Sequence, residues 1–294
     1  HKTNIDEHKK LIKKINEALL QERNKRIKPR LDDKTLTSWN ALTISGLCNA
    51  YEAFGNDDFL KLAKANMHFI LSHQLKSDGG LWHSYKKGQS TINGFLEDYA
   101  FVIEALINLY QCAFDERYLK QAEKFITYLD EHFFDNESHL YFFTSDMDAP
   151  LIARKTEIQD NVIPASNSSL AKSLFLLSKI TSHSIYEVKA LNMLQSVYGQ
   201  IPGYLPAYTN WAELLLWQTE SFYELAVCGE KAFDFASVVR AEYIPNLVVA
   251  ACQSESKLPL LNNRLINNKT LLYICQNKTC NLPLESLDEA LQAE

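Results

Sequence analysis

A chain of 294 residues with 46% hydrophobic and 22% charged residues has ordinary globular composition and room for a substantial core. Lys and Arg total 30 against 36 Asp and Glu, a formal charge of −6 with no Lys/Arg-rich stripe to reverse it, which argues against a nucleic-acid partner. No apolar run approaches the roughly 20 residues of a membrane span, no signal peptide is visible, and six dispersed cysteines point to a reducing, cytoplasmic setting.

Helical periodicity dominates to about residue 224. Residues 4–25 read as a charged helix punctuated by Leu and Ile. Residues 35–54 place Ile44, Leu47, Tyr51 and Phe54 on one stripe, and residues 57–75 do the same with Leu60, Ala63, Met67 and Ile70. The Gly- and Ser-rich stretch SDGGLWHSYKKGQSTING then suits a β-hairpin or an irregular loop. Helices are expected over 96–113 and 116–133. A second long loop, DNESHLYFFTSDMDAPLIARKTE, carries short pieces able to pair as strands. A further helical pair covers 166–181 and 185–198, the latter opened by a capping box, Ser184-x-x-Glu187. Another helix begins at 210. Beyond it YELAVCGE, NLVVAAC and TLLYICQ read as strands, with helices at 231–242 and 286–293. The expected domains are therefore helical hairpins over 1–224 and a small α/β appendage over 225–294.

Helix, tight turn, helix, long loop is the repeated order, and such hairpins can close into a ring of inner and outer helices. The helices after the long loops are alternate ones, so their N-termini must share one end. Those entrances read DDKTLTSWN, GFLEDYAF, IPASNSSL and YTNWAEL, four polar and aromatic clusters on one expected mouth.

Five motifs, RIKPRLDDKTLTSWNAL, FLEDYAFVIEALINLY, IPASNSS, YIPN and LYICQNKTCNLP, resemble the C-terminal portion of the thioredoxin-domain-containing spermatogenesis-associated protein 20/YyaL-like family. The resemblance runs from about residue 10 to the end. It implies a mainly α fold, an (α/α) toroid similar to six-hairpin glycosidases and N-acylglucosamine 2-epimerases, here with about three and a half hairpins. It also implies a carbohydrate ligand. The chain has no Cys-x-x-Cys, so a thioredoxin-like domain would be a partner rather than part of it.

Under that resemblance the candidate catalytic residues are Glu97, Asp98, Asp33 and His83. The acids also suit plain capping at the positive ends of helices. Glu97 and Asp98 point about 100° apart on a helix, so a facing carboxyl pair needs a member from another hairpin, such as Asp32, Asp33 or Asp160. His83 suits proton transfer near neutral pH, although no second histidine sits at an inner entrance. Candidate binding residues are Asp32, Trp39, Asn40, Trp82, Arg154, Asp160, Asn167 and Trp211. Tryptophans can stack on sugar rings or pack with one polar tip, and Arg154 can hold an anion or close a loop ion pair with Asp160. Asn167 also suits a helix start. Cys275 and Cys280 lack the histidines of a zinc site, so no metal or cofactor is expected, and a redox pair stays open. Two readings remain. One is a carbohydrate-active or sugar-binding domain, of epimerase/isomerase or glycosidase type if catalytic. The other is a non-catalytic interaction module working with a thioredoxin-like domain or redox partner.

Overall fold

A computed structural model describes residues 4–149 and 152–292. Its contacts divide the chain into two units, residues 1–34 and 35–294. The first unit carries α1 (Ile5–Asn24), started by Asn4, whose side chain accepts the Asp6 N–H at 3.1 Å. None of the residues of α1 is buried.

The second unit holds the hairpins. They are α2 (Thr37–Phe54) with α3 (Asp57–Phe69), α4 (Leu96–Ala113) with α5 (Glu116–His132), and α6 (Ser166–Thr181) with α7 (Ser184–Val197). α8 (Thr209–Thr219) begins a fourth. α2 packs on α4, α4 on α6 and α6 on α8, so the first members stand in one row, while α3, α5 and α7 each lie against their own partner. The protein is mainly α, with three and a half hairpins laid out as an arc of an (α/α) toroid.

One local device makes the tight turns. The residue after each of the first three inner helices is left-handed, Gly55 (φ 64°), Phe114 (φ 52°) and Ser182 (φ 57°), which stops the helix. The following residue starts the outer helix: Asn56 accepts the Asp58 N–H at 3.0 Å and Asp115 accepts the Arg117 N–H at 3.0 Å. In the third turn His183 occupies that position and its ring bonds Glu123 instead. The expected capping box there does not form. Ser184 is already the first helical residue, and the Glu187 carboxylate accepts from Lys179 of the neighbouring helix at 2.8 Å.

α4 and α6 are buried on nearly every side, α6 with small serines as well as apolar residues, whereas α5 buries only one stripe, Leu119, Ala122, Phe125, Ile126 and Leu129 among it. That contrast separates the inner helices from the outer ones.

The long loop before α4 is a β-hairpin, β2 (Trp82–Lys86) with β3 (Gln89–Asn93), to which β1 (Thr35–Leu36) adds an edge. The loop after α5 makes only isolated bridges, Phe134 with Tyr141 and Phe142 with Thr156. α3 does not end as an α-helix: Ile70–Gln74 is a wide π turn, which brings Gln74 into the core beneath β2.

After α8 come β4 (Tyr223–Cys228), α9 (Ala232–Ala241), β5 (Leu247–Cys252), β6 (Leu271–Gln276), β7 (Thr279–Cys280) and α10 (Leu287–Gln292). The sheet order is β5-β4-β6-β7, with β4 parallel to β5 and antiparallel to β6. Side chains alternate across it. Ala226, Cys228, Val248, Ala250 and Cys275 join the helical core, while Leu225, Val227, Val249 and Leu272 pack with Ala232, Ala236 and Val239 of α9. Gly229 leaves β4 at φ 134°, where a Cβ would stand 2.2 Å from the Lys269 carbonyl oxygen, so no other residue fits this turn.

Candidate functional site

Buried acids tie the inner-helix N-termini together in pairs. Asp98 Oδ1 accepts the Ser38 N–H at 2.9 Å and Asp98 Oδ2 accepts the Phe95 N–H at 2.9 Å, so one carboxylate caps both α2 and α4. Asp160 does the same for the next pair. It accepts the Ala165 N–H before α6 at 3.0 Å and the Asn210 N–H in α8 at 2.9 Å. Between the pairs, Glu157 accepts both the N–H (3.0 Å) and the hydroxyl (2.6 Å) of Ser166, and α4 packs directly on α6. The four entrances therefore form one mouth.

At the α2–α4 side the geometry is chemical as well as structural. His83, on β2, places Nδ1 2.9 Å from Asp98 Oδ2. Both other neighbours of that carboxylate are N–H donors, so it acts as the acceptor and sets the Nδ1 proton of the imidazole, with the basic nitrogen at Nε2. Burial pushes Asp98 up from its ordinary range, opposed by His83 and the two backbone N–H groups. Beside it the half-buried Glu97 accepts the Ser38 hydroxyl at 3.2 Å. Glu97 is held above the usual carboxylate range, by burial first and by the Asp98 charge second, against the pull of Ser38. A carboxyl raised in this way is closer in proton affinity to an imidazole than a solvated one is. An aromatic wall backs the pair: the His83 ring lies 4.9 Å from Phe95, which stacks on Phe143 at 5.1 Å.

His83, Glu97 and Asp98 also offer donor atoms within 4.8 Å of one another, the spacing of a cation site. The donor set fits a cation poorly. Both Asp98 oxygens already serve backbone N–H groups, and one also serves His83, so an ion would compete with the caps of two helices.

The other expected site residues divide by what they touch. Asp32 and Asp33 belong to the first unit, where Asp32 is exposed and pairs with Lys34 at 3.3 Å. Trp82 is half-buried on β2; its carbonyl accepts from Thr37, and Lys76 lies 5.4 Å over its ring. Trp39 is 63% exposed on the first turn of α2, and Asn40 donates back to the Leu36 carbonyl at 2.7 Å. Trp211 is fully buried and donates to the Ile158 carbonyl at 2.8 Å, a packed residue with one polar tip. Asn167 is fully buried too. Its amide accepts the Tyr141 N–H and donates to the Tyr141 and Glu157 carbonyls, which stitches the second long loop to α6. Arg154 forms no ion pair with Asp160. It donates to the Thr144 and His132 carbonyls and lies 4.2 Å over Phe142, clamping the same loop.

Sequence reasoning missed Ser38, Phe95, Phe143 and Glu157. Each acquires its place only through a partner far along the chain, so no local spacing marks them. Away from the mouth the inner faces remain polar: Asn49 and Glu52, Glu104, Asn108 and Gln111, Lys172 and Glu213 line a cavity of about 510 Å³.

No family model matches the chain. It is 28% identical over 289 residues to spermatogenesis-associated protein 20 of Homo sapiens, across 91% of this chain and 37% of that protein. An uncharacterized protein of Caenorhabditis elegans is 29% identical over 308 residues, 98% of this chain and 41% of the relative. The chain thus spans about two fifths of the curated relatives it matches. Among solved structures, a GH76 α-mannanase of Bacteroides thetaiotaomicron is similar with a TM-score of 0.49 at 21% identity, over 58% of this chain and 46% of that one. A D-mannose isomerase is similar with a TM-score of 0.47 at 17% identity, over 56% and 42%. No helix among the described residues is long and apolar enough to cross a membrane.

Proposed function

We propose that the mouth is an acid–base site for a sugar-like polyhydroxylated substrate, and that its reaction is of the epimerase or aldose–ketose isomerase type. The observation that carries this reading is the Asp98-held imidazole of His83 beside the half-buried Glu97 carboxyl, which burial holds above its usual range. In that scheme His83 Nε2 takes the proton from the carbon next to an open-chain carbonyl. Asp98, a positioning residue, stabilises the imidazolium, and Glu97 gives its proton to the carbonyl oxygen. The resulting enediol collapses with the proton returned to the other face or the neighbouring carbon. Glycoside hydrolysis is less well supported, because it needs a second accessible carboxyl facing the first. Asp98 is buried and saturated, and one Glu157 oxygen is committed to Ser166.

Thermal unfolding against mono- and disaccharides is the direct test. A ligand at 100 times its Kd adds about 2.7 kcal/mol. A selective rise in Tm, followed by exchange of the carbon-bound proton with deuterated solvent, supports the reading. No shift across the panel, or a shift that Glu97→Gln and His83→Gln leave untouched, sinks it and favours the interaction-module alternative.

A further inference from the structure

The small sheet holds a second reactive centre, remote from any role in the acid–base scheme. Cys275 on β6 and Cys280 on β7 face each other in register and form a disulfide. The Arg264 guanidinium donates to both sulfurs, Nη1 to Cys275 Sγ at 3.3 Å and Nη2 to Cys280 Sγ at 3.0 Å. Arg264 is half-buried, its guanidinium lies 4.9 Å over the Tyr273 ring, and the Tyr273 hydroxyl holds the Arg264 backbone by donating to its carbonyl at 3.1 Å. Arg117 and Arg240 each pair with a carboxylate; among the described residues none is paired with Arg264. A partly desolvated cation bonded to two neutral sulfurs is poorly matched, since disulfide sulfur is a weak acceptor and a thiolate a strong one. The reduced pair complements Arg264 better than the oxidised pair does. Access is also unequal: Cys275 is 1% exposed, whereas Cys280 is partly open.

We propose that Cys275–Cys280 is a thiol-exchange site, at which an incoming dithiol attacks Cys280 and Arg264 receives Cys275 as the leaving thiolate. The attacking thiolate forms a bond to Cys280 Sγ as the Cys275–Cys280 bond breaks, and the electron pair passes to Cys275 Sγ beneath the guanidinium. The second thiol of the reductant loses its proton to solvent and attacks the reductant's own sulfur in the mixed disulfide. Cys280 leaves as a thiolate that takes up a proton. Two electrons pass from the dithiol, which becomes a disulfide, to the cystine. A better-stabilised leaving thiolate speeds the first step, and the accessible sulfur decides its direction.

Dithiothreitol time courses on the folded chain, quenched by alkylation and read by mass spectrometry, test the rate. Far-UV circular dichroism reports whether the fold persists. Reduction without unfolding is expected, about tenfold slower in Arg264→Leu and close to wild type in Arg264→Lys. Trapping the wild-type protein with glutathione tests the direction without any variant: the adduct should sit on Cys280 and the alkylated thiol at Cys275. Equal rates in the wild type and Arg264→Leu, reduction only in denaturant, an adduct on Cys275, or free thiols at Cys275 and Cys280 in the air-oxidised protein would each overturn the proposal.

Discussion

Asp98 and Asp160 solve one problem in two halves of the mouth, and the difference lies in where their remaining bonds go. Each caps two successive inner-helix entrances through backbone N–H groups. Asp160 adds the hydroxyls of Ser168 at 2.6 Å and Thr209 at 3.4 Å, which do not titrate near neutral pH. Asp98 instead adds the imidazole of His83. The same cap is thus a fastener alone at α6–α8 and, at α2–α4, also the group that positions the imidazole of the proposed acid–base site. Helix capping and the proposed acid–base role are compatible for an acid at such an entrance; the third partner makes the difference.

The largest effect should come from removing the fastener. Asp160→Ala strips acceptors from two backbone N–H groups and two hydroxyls, a loss of about 3–5 kcal/mol when each buried donor costs 1–3 kcal/mol and some rehydrate. Urea unfolding measures it, and a loss under 1 kcal/mol would mean that the two halves are not held this way. Asp98→Asn sharpens the contrast. It keeps one acceptor oxygen but turns an amide toward His83 or a backbone N–H, so turnover or sugar response should fall by about 10³-fold while stability falls by about 2 kcal/mol. If the same exchange at Asp160 lowers activity as much per kcal/mol of stability, the distinction between the halves fails.

Glu97→Gln should separate chemistry from folding. Activity should drop at least about 100-fold, yet Tm should rise. The sign follows from its raised carboxyl: that group favours the fold below the unfolded-state value and the contribution is lost as pH rises through the folded one. The advantage of Gln is therefore absent near pH 4 and present at pH 7–8, which Tm against pH will show. Trp39→Ala is the smallest change, within about 0.5 kcal/mol in stability. A loss of sugar affinity larger than that would make this exposed ring part of the substrate surface.

Much of the fold was legible in the sequence because helices announce themselves within a few residues. The stripe Leu119, Ala122, Phe125, Ile126 and Leu129 needs only the 3.6-residue period, and the turns need only Gly55-Asn56 or a capping Asp115. Shared N-termini followed from chain order alone. The site was legible as residue types but not as bonds. Glu97, Asp98 and His83 stood out as titratable groups near an entrance; that Asp98 joins Ser38, 60 positions away, to His83 is a tertiary fact. Asn167 on α6 and Arg154 in the second long loop spend their polar groups on backbone of that loop, partners that no local spacing marks. Ser184-x-x-Glu187 failed because a lysine on the adjacent helix outbid the local N–H for Glu187.

The wide turn at Ile70–Gln74 makes the mouth sensitive to chain length in a helix on its outer side. Gln74 donates to Thr37 Oγ1 at 2.6 Å, and that hydroxyl in turn holds the Trp82 carbonyl, so the end of α3 braces the first step of α2 and the strand that carries His83. Deleting one residue from this turn would let α3 continue in the ordinary α-helical frame, which the backbone prefers, and would swing position 74 by about 100°. The segment would gain regularity and the brace would vanish. The wide turn at the end of an outer helix is thus a spacer that braces the strand carrying the imidazole.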